Sequence, residues 1–327
     1  MTHPPVPDGL QLPEAARRDP PRAWHYGEFY GLKPLPEADL PLLVVHGNCQ
    51  AESVRLLLQG GAAPVVAGAP CVSVRIPAVH ELAADEVPLL QRLLAAADVV
   101  VSQPIADDYH GLPLGTAQVA AAAPRATLVV FPVFRYAGLL PHQVVFTHPV
   151  AGDPPVVPYH DVRTMVRAAE LPPLPPLTSD RVDAVAQWSL DELRKREQAA
   201  GAVVVSDLVP GAGLRATNTI NHPGNPILVG MAARVQERLG WEATAQDPGH
   251  ELLDSVHAPI DPVVRERFAA GPASPWPSSD AWVVGGSDVP VEQVATAQID
   301  WYHAHTDVLE AALARAASQL ELLGHRR

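Results

Sequence analysis

The sequence predicts an α/β fold built on an open, doubly wound parallel sheet, with a mainly helical C-terminal half. Two observations carry this. Four short apolar runs, rich in β-branched residues, recur through the first 131 residues, as buried strands require. Three of the four are followed by a turn and a stretch with helical spacing, the pattern of right-handed crossover connections in a parallel sheet.

The first run, Leu42-Leu43-Val44-Val45-His46, ends in the turn Gly47-Asn48-Cys49-Gln50. Ala51 to Gln59 follows as a helix, with Val54, Leu57 and Leu58 on one face and Gly60-Gly61 as its stop. Val72 to Ile76 is the second strand, and Asp85 to Ala97 a helix with Val87, Leu90 and Leu94 aligned. Asp98 to Ser102 and Thr127 to Phe131 are the third and fourth strands. In such sheets ligands bind beyond the carboxyl ends of the strands. The loops of interest are therefore Gly47–Gln50, Pro77–His80, Ser102-Gln103-Pro104 and Pro132–Tyr136.

Residues 1–40 form a proline-rich arm with little periodicity, expected on the surface. Residues 41–150 make the α/β core, and 151–327 a mainly helical part packed on it as one unit. Helices are expected over Asp180–Ala200, Asn225–Leu239 and Glu292–Leu323, the last as one long helix or two. That C-terminal helix could support a homodimer or simply cover the core.

Composition removes several function classes. Two cysteines cannot build a disulfide scaffold or a four-thiolate zinc site. A formal charge of −13 argues against nucleic acid and anionic membranes as partners. No apolar run approaches the roughly 20 residues that span a bilayer, and no secretory leader is visible, so a cytoplasmic location is expected. Lys33 and Lys195 are the only lysines, so cationic contacts fall to arginine. No HExxH, EF-hand, Walker A or GxGxxG pattern occurs, and no metal is expected.

Cys49 is the most informative residue. It sits in a strand-to-helix turn, where N–H groups at the helix start lower a thiol pKa and can bind an oxyanion. Gly47 gives the turn conformational freedom. The alternative is a cysteine acting as a small buried hydrophobe, which is also the reading of Cys71. A nucleophilic cysteine needs a base. His222 is the first candidate, because Asn218 and Asn221 beside it could orient an imidazole, although Asn221 could equally cap a helix. His160 with Asp161 is the alternative base, and there Asp161 could be an ordinary N-cap. His46 could merely end its strand, and His303 and His305 fit surface or partner-facing positions.

Taken in order, strand-His46-Gly47-Asn48-Cys49-Gln50-helix, Ser102-Gln103-Pro104, Tyr159-His160-Asp161, Asn221-His222-Pro223 and the Trp301-Tyr302 helix resemble the WcbI family of polysaccharide-biosynthesis acetyltransferases. The similarity runs from about residue 42 to about 305, leaving the N-terminal arm outside. The turn also resembles the first block of serine SGNH hydrolases with cysteine in place of serine, which implies a flavodoxin- or SGNH-like three-layer core. The resemblance implies an acyl-coenzyme A-dependent O-acyltransferase, with a sugar or natural-product hydroxyl as acceptor. It places the family's cysteine and histidine on Cys49 and His222. By analogy, the Gln50 N–H and the Asn48 or Gln103 side chains would form an oxyanion hole. An esterase or thioesterase on the same scaffold, or a non-catalytic binder of coenzyme A or carbohydrate, are the other readings. Gly47, Ser102, Phe134, Arg135, Tyr136, Asn218 and Asn221 are the expected substrate or cofactor contacts. Phe134 and Tyr136 would stack on adenine, and Arg135, Arg55, Arg75 and Arg163 would meet phosphates.

Overall fold

The computed structural model describes residues 12–36, 39–61, 68–274, 276 and 279–325, so the first eleven residues of the proline-rich arm and residues 37–38 lie outside it. The chain divides into two compact units. The first comprises residues 1–133, 196–205 and 228–250, and the second residues 134–195, 206–227 and 251–327.

In the first unit, three short helices come first: α1 (Glu14–Arg18), α2 (Pro20–His25) and α3 (Gly27–Tyr30). The sequence reading gave this stretch no regular elements, because its prolines read as breakers. One of them instead starts a helix. Asp19 accepts the Arg22 N–H at 3.1 Å as the α2 cap, and Pro20 takes the first helical position, where a missing N–H costs nothing. Phe29 and Tyr30 are buried in the core rather than on the surface.

The sheet follows as β1 (Leu42–His46), α4 (Gln50–Gln59), β2 (Val72–Ser73), α5 (Val87–Ala96), β3 (Val99–Ser102), α6 (Thr116–Ala122) and β4 (Thr127–Val130). All pairings are parallel and the strand order is β2-β1-β3-β4. β2 is shorter than the sequence suggested, because it pairs only with Leu42 and Leu43 at the sheet edge. α4 stops at Gly60, whose φ of 84° is the left-handed cap that glycine adopts without strain. Alternation sends Val44 and Val100 into one apolar layer, shared with Tyr30, Leu90, Leu94 and Val119 from α3, α5 and α6. Helices lie on both sides of the sheet, as the predicted doubly wound architecture requires.

β1 leads outward to β2, whereas β3 leads the other way to β4. The switch point therefore falls between β1 and β3, where the loops after the two strands diverge and leave a crevice. His46 pairs with Ser102 at the ends of these strands, so the Gly47–Gln50 turn and Gln103 emerge side by side.

The second unit holds an antiparallel pair, β5 (Gln143–Val144) and β6 (His160–Asp161), followed by α7 (Val162–Ala168). α8 (Ser179–Ala200) comes next, its last five residues belonging to the first unit. Then come α9 (Val209–Ala212), the hairpin β7 (Thr217–Thr219) and β8 (His222–Pro223), and α10 (Asn225–Arg238), which begins in this unit. β9 (Val256–His257), α11 (Pro262–Arg267), β10 (Ala281–Val284) and β11 (Ser287–Pro290) include a three-stranded antiparallel sheet that the sequence did not announce. In place of one or two C-terminal helices there are three, α12 (Val291–Ala304), α13 (Thr306–Arg315) and α14 (Ala317–Leu322). The first break is His305, with φ −138° and ψ 66°.

Among the described residues, no helix is long and apolar enough to cross a membrane, and no three His, Cys, Asp or Glu side chains converge as metal ligands.

Candidate active site

The turn after β1 is organised by two side-chain amides. Asn48 ties the turn to the start of α4: its Oδ1 accepts the Gln50 N–H at 3.0 Å and its main-chain oxygen the Ala51 N–H at 2.9 Å. Gln103, arriving from β3, accepts the Asn48 N–H on Oε1 at 2.8 Å and donates from Nε2 to Gln50 Oε1 at 3.1 Å. Both glutamines are buried, so these bonds form in a low-dielectric setting where leaving them unmade would be costly. Gln103 is therefore a brace for the turn, with one of its two amide protons already spent on Gln50. Among the described residues Asn48 bonds the turn through Oδ1 and its main chain, which leaves its amide nitrogen as a donor for an oxyanion.

Gly47 has a different purpose from the one expected. Its φ is not in the left-handed region. What it supplies is space: a Cβ there would stand 2.6 Å from Gln103 Oε1, so any side chain would displace the brace.

Cys49 lies half-buried at the N-cap position, just before α4, with φ −52° and ψ −25°. Burial pushes its thiol up to about 11, against the opposing pull of the Cys49 and Gln50 N–H groups, with a further upward push from Glu81. The helix start does favour a thiolate, as the sequence implied, but desolvation outweighs it. The resting residue is a neutral thiol. Cys71 is fully buried, and burial pushes it up to about 12.

Ser102 does not face a ligand. It is fully buried, and its hydroxyl donates to Gln103 O at 2.8 Å, which fixes the loop that carries the brace. Arg55 is also internal. Its guanidinium bonds Glu52 through Nε at 2.7 Å and Nη2 at 2.9 Å, and reaches Gln59 at 3.1 Å and Ser73 at 2.6 Å, so it is not a phosphate contact. Arg75, which pairs with Glu52 at 3.1 Å, keeps 38% of its side chain exposed.

His222 sits in β8 of the second unit. Burial, and secondarily His257, hold its imidazole down at about 4, so it is neutral at physiological pH. Its Nε2 lies 3.5 Å from the Tyr159 hydroxyl, which in turn accepts from Thr219 Oγ1 at 2.9 Å. Thr219 also meets Asn221 Oδ1 at 3.2 Å. The sequence singled out Tyr159 only as part of the Tyr159-His160-Asp161 motif and gave no sign that its hydroxyl meets His222, 63 residues away. Tyr159 is further stacked on Trp282, with ring centroids 5.9 Å apart and planes 10° apart.

Burial and hydrogen bonding decide among the remaining readings, and Asp161 as an N-cap and His46 as a strand end match alternatives the sequence left open. His160 is fully buried, with Nε2 2.8 Å from Phe146 O and Nδ1 bonded to the Tyr302 hydroxyl, so neither nitrogen is open to a substrate. Asp161 caps α7 through the Arg163 N–H at 2.8 Å and holds the Arg163 guanidinium at 2.6 Å. Asn218 is buried and donates to Leu252 O at 3.4 Å. Phe134 and Tyr136 are buried too, so neither presents a ring face to adenine, whereas Arg135 between them is half-buried. His46 is buried at its strand end, with Nε2 2.9 Å from Leu114 O. His303 and His305 rest against the carbonyls of Ala168 and Trp301.

The model of the family described as polysaccharide biosynthesis enzyme WcbI matches residues 42–244. The chain belongs to the WcbI family. Family members are polysaccharide biosynthesis enzymes by description, so this chain is an enzyme of that class. A solved WcbI structure shares the fold with a TM-score of 0.66 at 17% identity, covering 87% of this chain and 99% of that one. It is described as a novel polysaccharide biosynthesis enzyme, the native protein without a disulfide bond between coenzyme A and one of its cysteines. No curated protein matches the sequence. The WcbI match begins at β1, so α1 to α3 lie outside it.

Proposed function

We propose that the protein transfers an acyl group, acetyl in the simplest case, from acyl-coenzyme A to a saccharide hydroxyl, with Cys49 carrying the group in between. The observation that carries this reading is the braced Gly47–Gln50 turn, which holds the Cys49 sulfur against the N–H groups of Cys49 and Gln50 at the switch point of the sheet. The related WcbI structure, in which a cysteine and coenzyme A are named together, supports Cys49 as the residue that meets the thiol end.

Coenzyme A fits this setting at its thiol end, where a soft sulfur and main-chain donors suit a thioester. Arg75, in the same unit as Cys49, is the cation that would meet its phosphates, since Arg55 is held internally and Arg163 is already paired with Asp161. When bound, the acyl donor supplies an activated carbonyl carbon. Cys49 Sγ bonds to that carbon, the carbon–sulfur bond of the donor breaks, and the thiol proton leaves with the departing sulfur. The Asn48 side-chain amide would stabilise the oxyanion, since the Asn48 and Gln50 main-chain N–H groups already bond within the braced turn. The acceptor hydroxyl oxygen then takes the acyl carbon, the Cys49 carbon–sulfur bond breaks, and the hydroxyl proton ends on the Cys49 sulfur. Exchange of one thioester for another is nearly isoenergetic, so the first step needs positioning more than driving force.

The raised thiol pKa favours a second reading, in which His222 takes the acceptor proton and the alkoxide attacks the donor directly. Coenzyme A release measured with and without a saccharide acceptor tests both routes together. Release that requires the acceptor supports transfer, whereas equal release in its absence makes the protein a thioesterase.

A further inference from the structure

The second unit contains a cavity of about 270 Å³ that none of the residues above explains. His142, Asp161, Arg163, Asp261, Asp280 and Trp282 are among its lining residues. We infer that it is a subsite for a neutral, polyhydroxylated sugar ring. Only the assignment of that ring to the acceptor rests on the acyl-transfer reading.

The key residue is His142. It is 8% exposed, and its imidazole makes no hydrogen bond within the described residues. Buried polar side chains are normally satisfied, so an exception that faces a cavity points to a ligand. Burial holds this imidazole down at about 4, so it presents one donor and one acceptor at neutral pH, which matches a hydroxyl group.

The charges select the ligand class. One arginine faces three aspartates, and Arg163 is already gripped by Asp161 through Nε at 3.0 Å and Nη2 at 2.6 Å. A phosphate or carboxylate would meet net negative charge. A divalent cation lacks a site, because these carboxylates do not converge as a ligand group among the described residues. Hydroxyl groups suit the lining: they donate to the carboxylates and accept from the guanidinium. Asp261 spends one oxygen on the Val263 N–H at 2.9 Å, leaving the other for such a bond. The volume lies just below the roughly 300–1,000 Å³ typical of drug-sized sites, so it takes a single ring.

The placement ties this cavity to the candidate base. Trp282 in its wall stacks on Tyr159, and the Tyr159 hydroxyl lies 3.5 Å from His222. Part of the lining, from Pro259 to Val291, falls beyond the residues matched by the WcbI family model, and would set which saccharide is accepted.

The test is calorimetry and saturation-transfer NMR on the full chain without coenzyme A. The probes are the methyl glycosides of glucose, galactose and mannose, with inorganic phosphate and magnesium chloride as controls. At least one glycoside should bind, and His142→Ala should weaken it ten-fold or more. Asp280→Asn, at the exposed rim and less able to disturb folding, should weaken it at least three-fold. Coenzyme A affinity should change less than two-fold in either variant. Failure of every glycoside to bind, equal affinity in both variants, or binding of phosphate or magnesium alone overturns the subsite. Glycoside binding that obeys the variants, without any acceptor-dependent coenzyme A release, overturns acyl transfer and leaves the subsite standing.

Discussion

Gln103 Oε1 accepts the Asn48 N–H at 2.8 Å, joining the loop after β3 to the turn that carries Cys49. This bond spans 55 residues of sequence and exists because β1 and β3 are neighbours in the sheet. Removing it with Gln103→Ala strips a partly buried N–H of its acceptor, a cost of about 1 kcal/mol. The variant should melt measurably earlier and lose at least ten-fold in acyl transfer. Gly47→Ala should reproduce the activity loss, because its Cβ would push Gln103 aside. Wild-type rates in both variants would show that the brace is dispensable.

The two chemical routes differ in pH dependence. If Cys49 attacks as a thiolate, kcat/KM for the acyl donor should climb about ten-fold per pH unit towards the thiol pKa of about 11. If His222 alone acts as base, the profile should be flat above about pH 5, since His222 is already neutral there. A profile measured from pH 5 to 10 separates them.

Stability should also respond to acid. The folded-state pKa of His142 is depressed to about 4 from 6.5, so between those values the unfolded chain binds more protons than the folded one. Stability is therefore fully present above about pH 6.5 and falls as pH drops towards 4. The histidine's share is at most about 3 kcal/mol. Denaturant melts at pH 7 and pH 4.5 should show the loss, and His142→Gln should show less of it. An unchanged difference in that variant would place the acid sensitivity elsewhere.

Arg55 should prove structural. Its partners Glu52, Gln59 and Ser73 surround a buried guanidinium, and removing one member of a buried ion pair costs about 3–5 kcal/mol. Arg55→Lys cannot reproduce the planar fork and should also destabilise. In whatever fraction folds, the KM for acyl-coenzyme A should match wild type, whereas Arg75→Ala should raise it. A raised KM in a well-folded Arg55→Lys enzyme would restore its cofactor role.

The sheet was legible because its signals are local. Leu42–His46, the Val99–Ser102 strand and Thr127–Val130 are continuous apolar or β-branched runs, and the helix after Cys49 announces itself by spacing and by Gly60. The site was legible only as far as it is contiguous in sequence. Gln103 was selected for its loop position, but its role as brace depends on strand order. Trp282 and the pairing of Tyr159 with it were missed, since their stacking joins residues more than a hundred positions apart. His160 misled for the same reason: its partner Tyr302 lies 142 residues away. The state of Cys49 was misjudged because a helix terminus is visible in sequence, whereas the burial that outweighs it is not.

The most direct test is intact-mass spectrometry after incubation with acetyl-coenzyme A and no acceptor. The account predicts a single added acetyl group, mapped to Cys49 by peptide digestion, absent from Cys49→Ala and discharged when acceptor is added. An unmodified wild-type protein together with an active Cys49→Ala variant would contradict it.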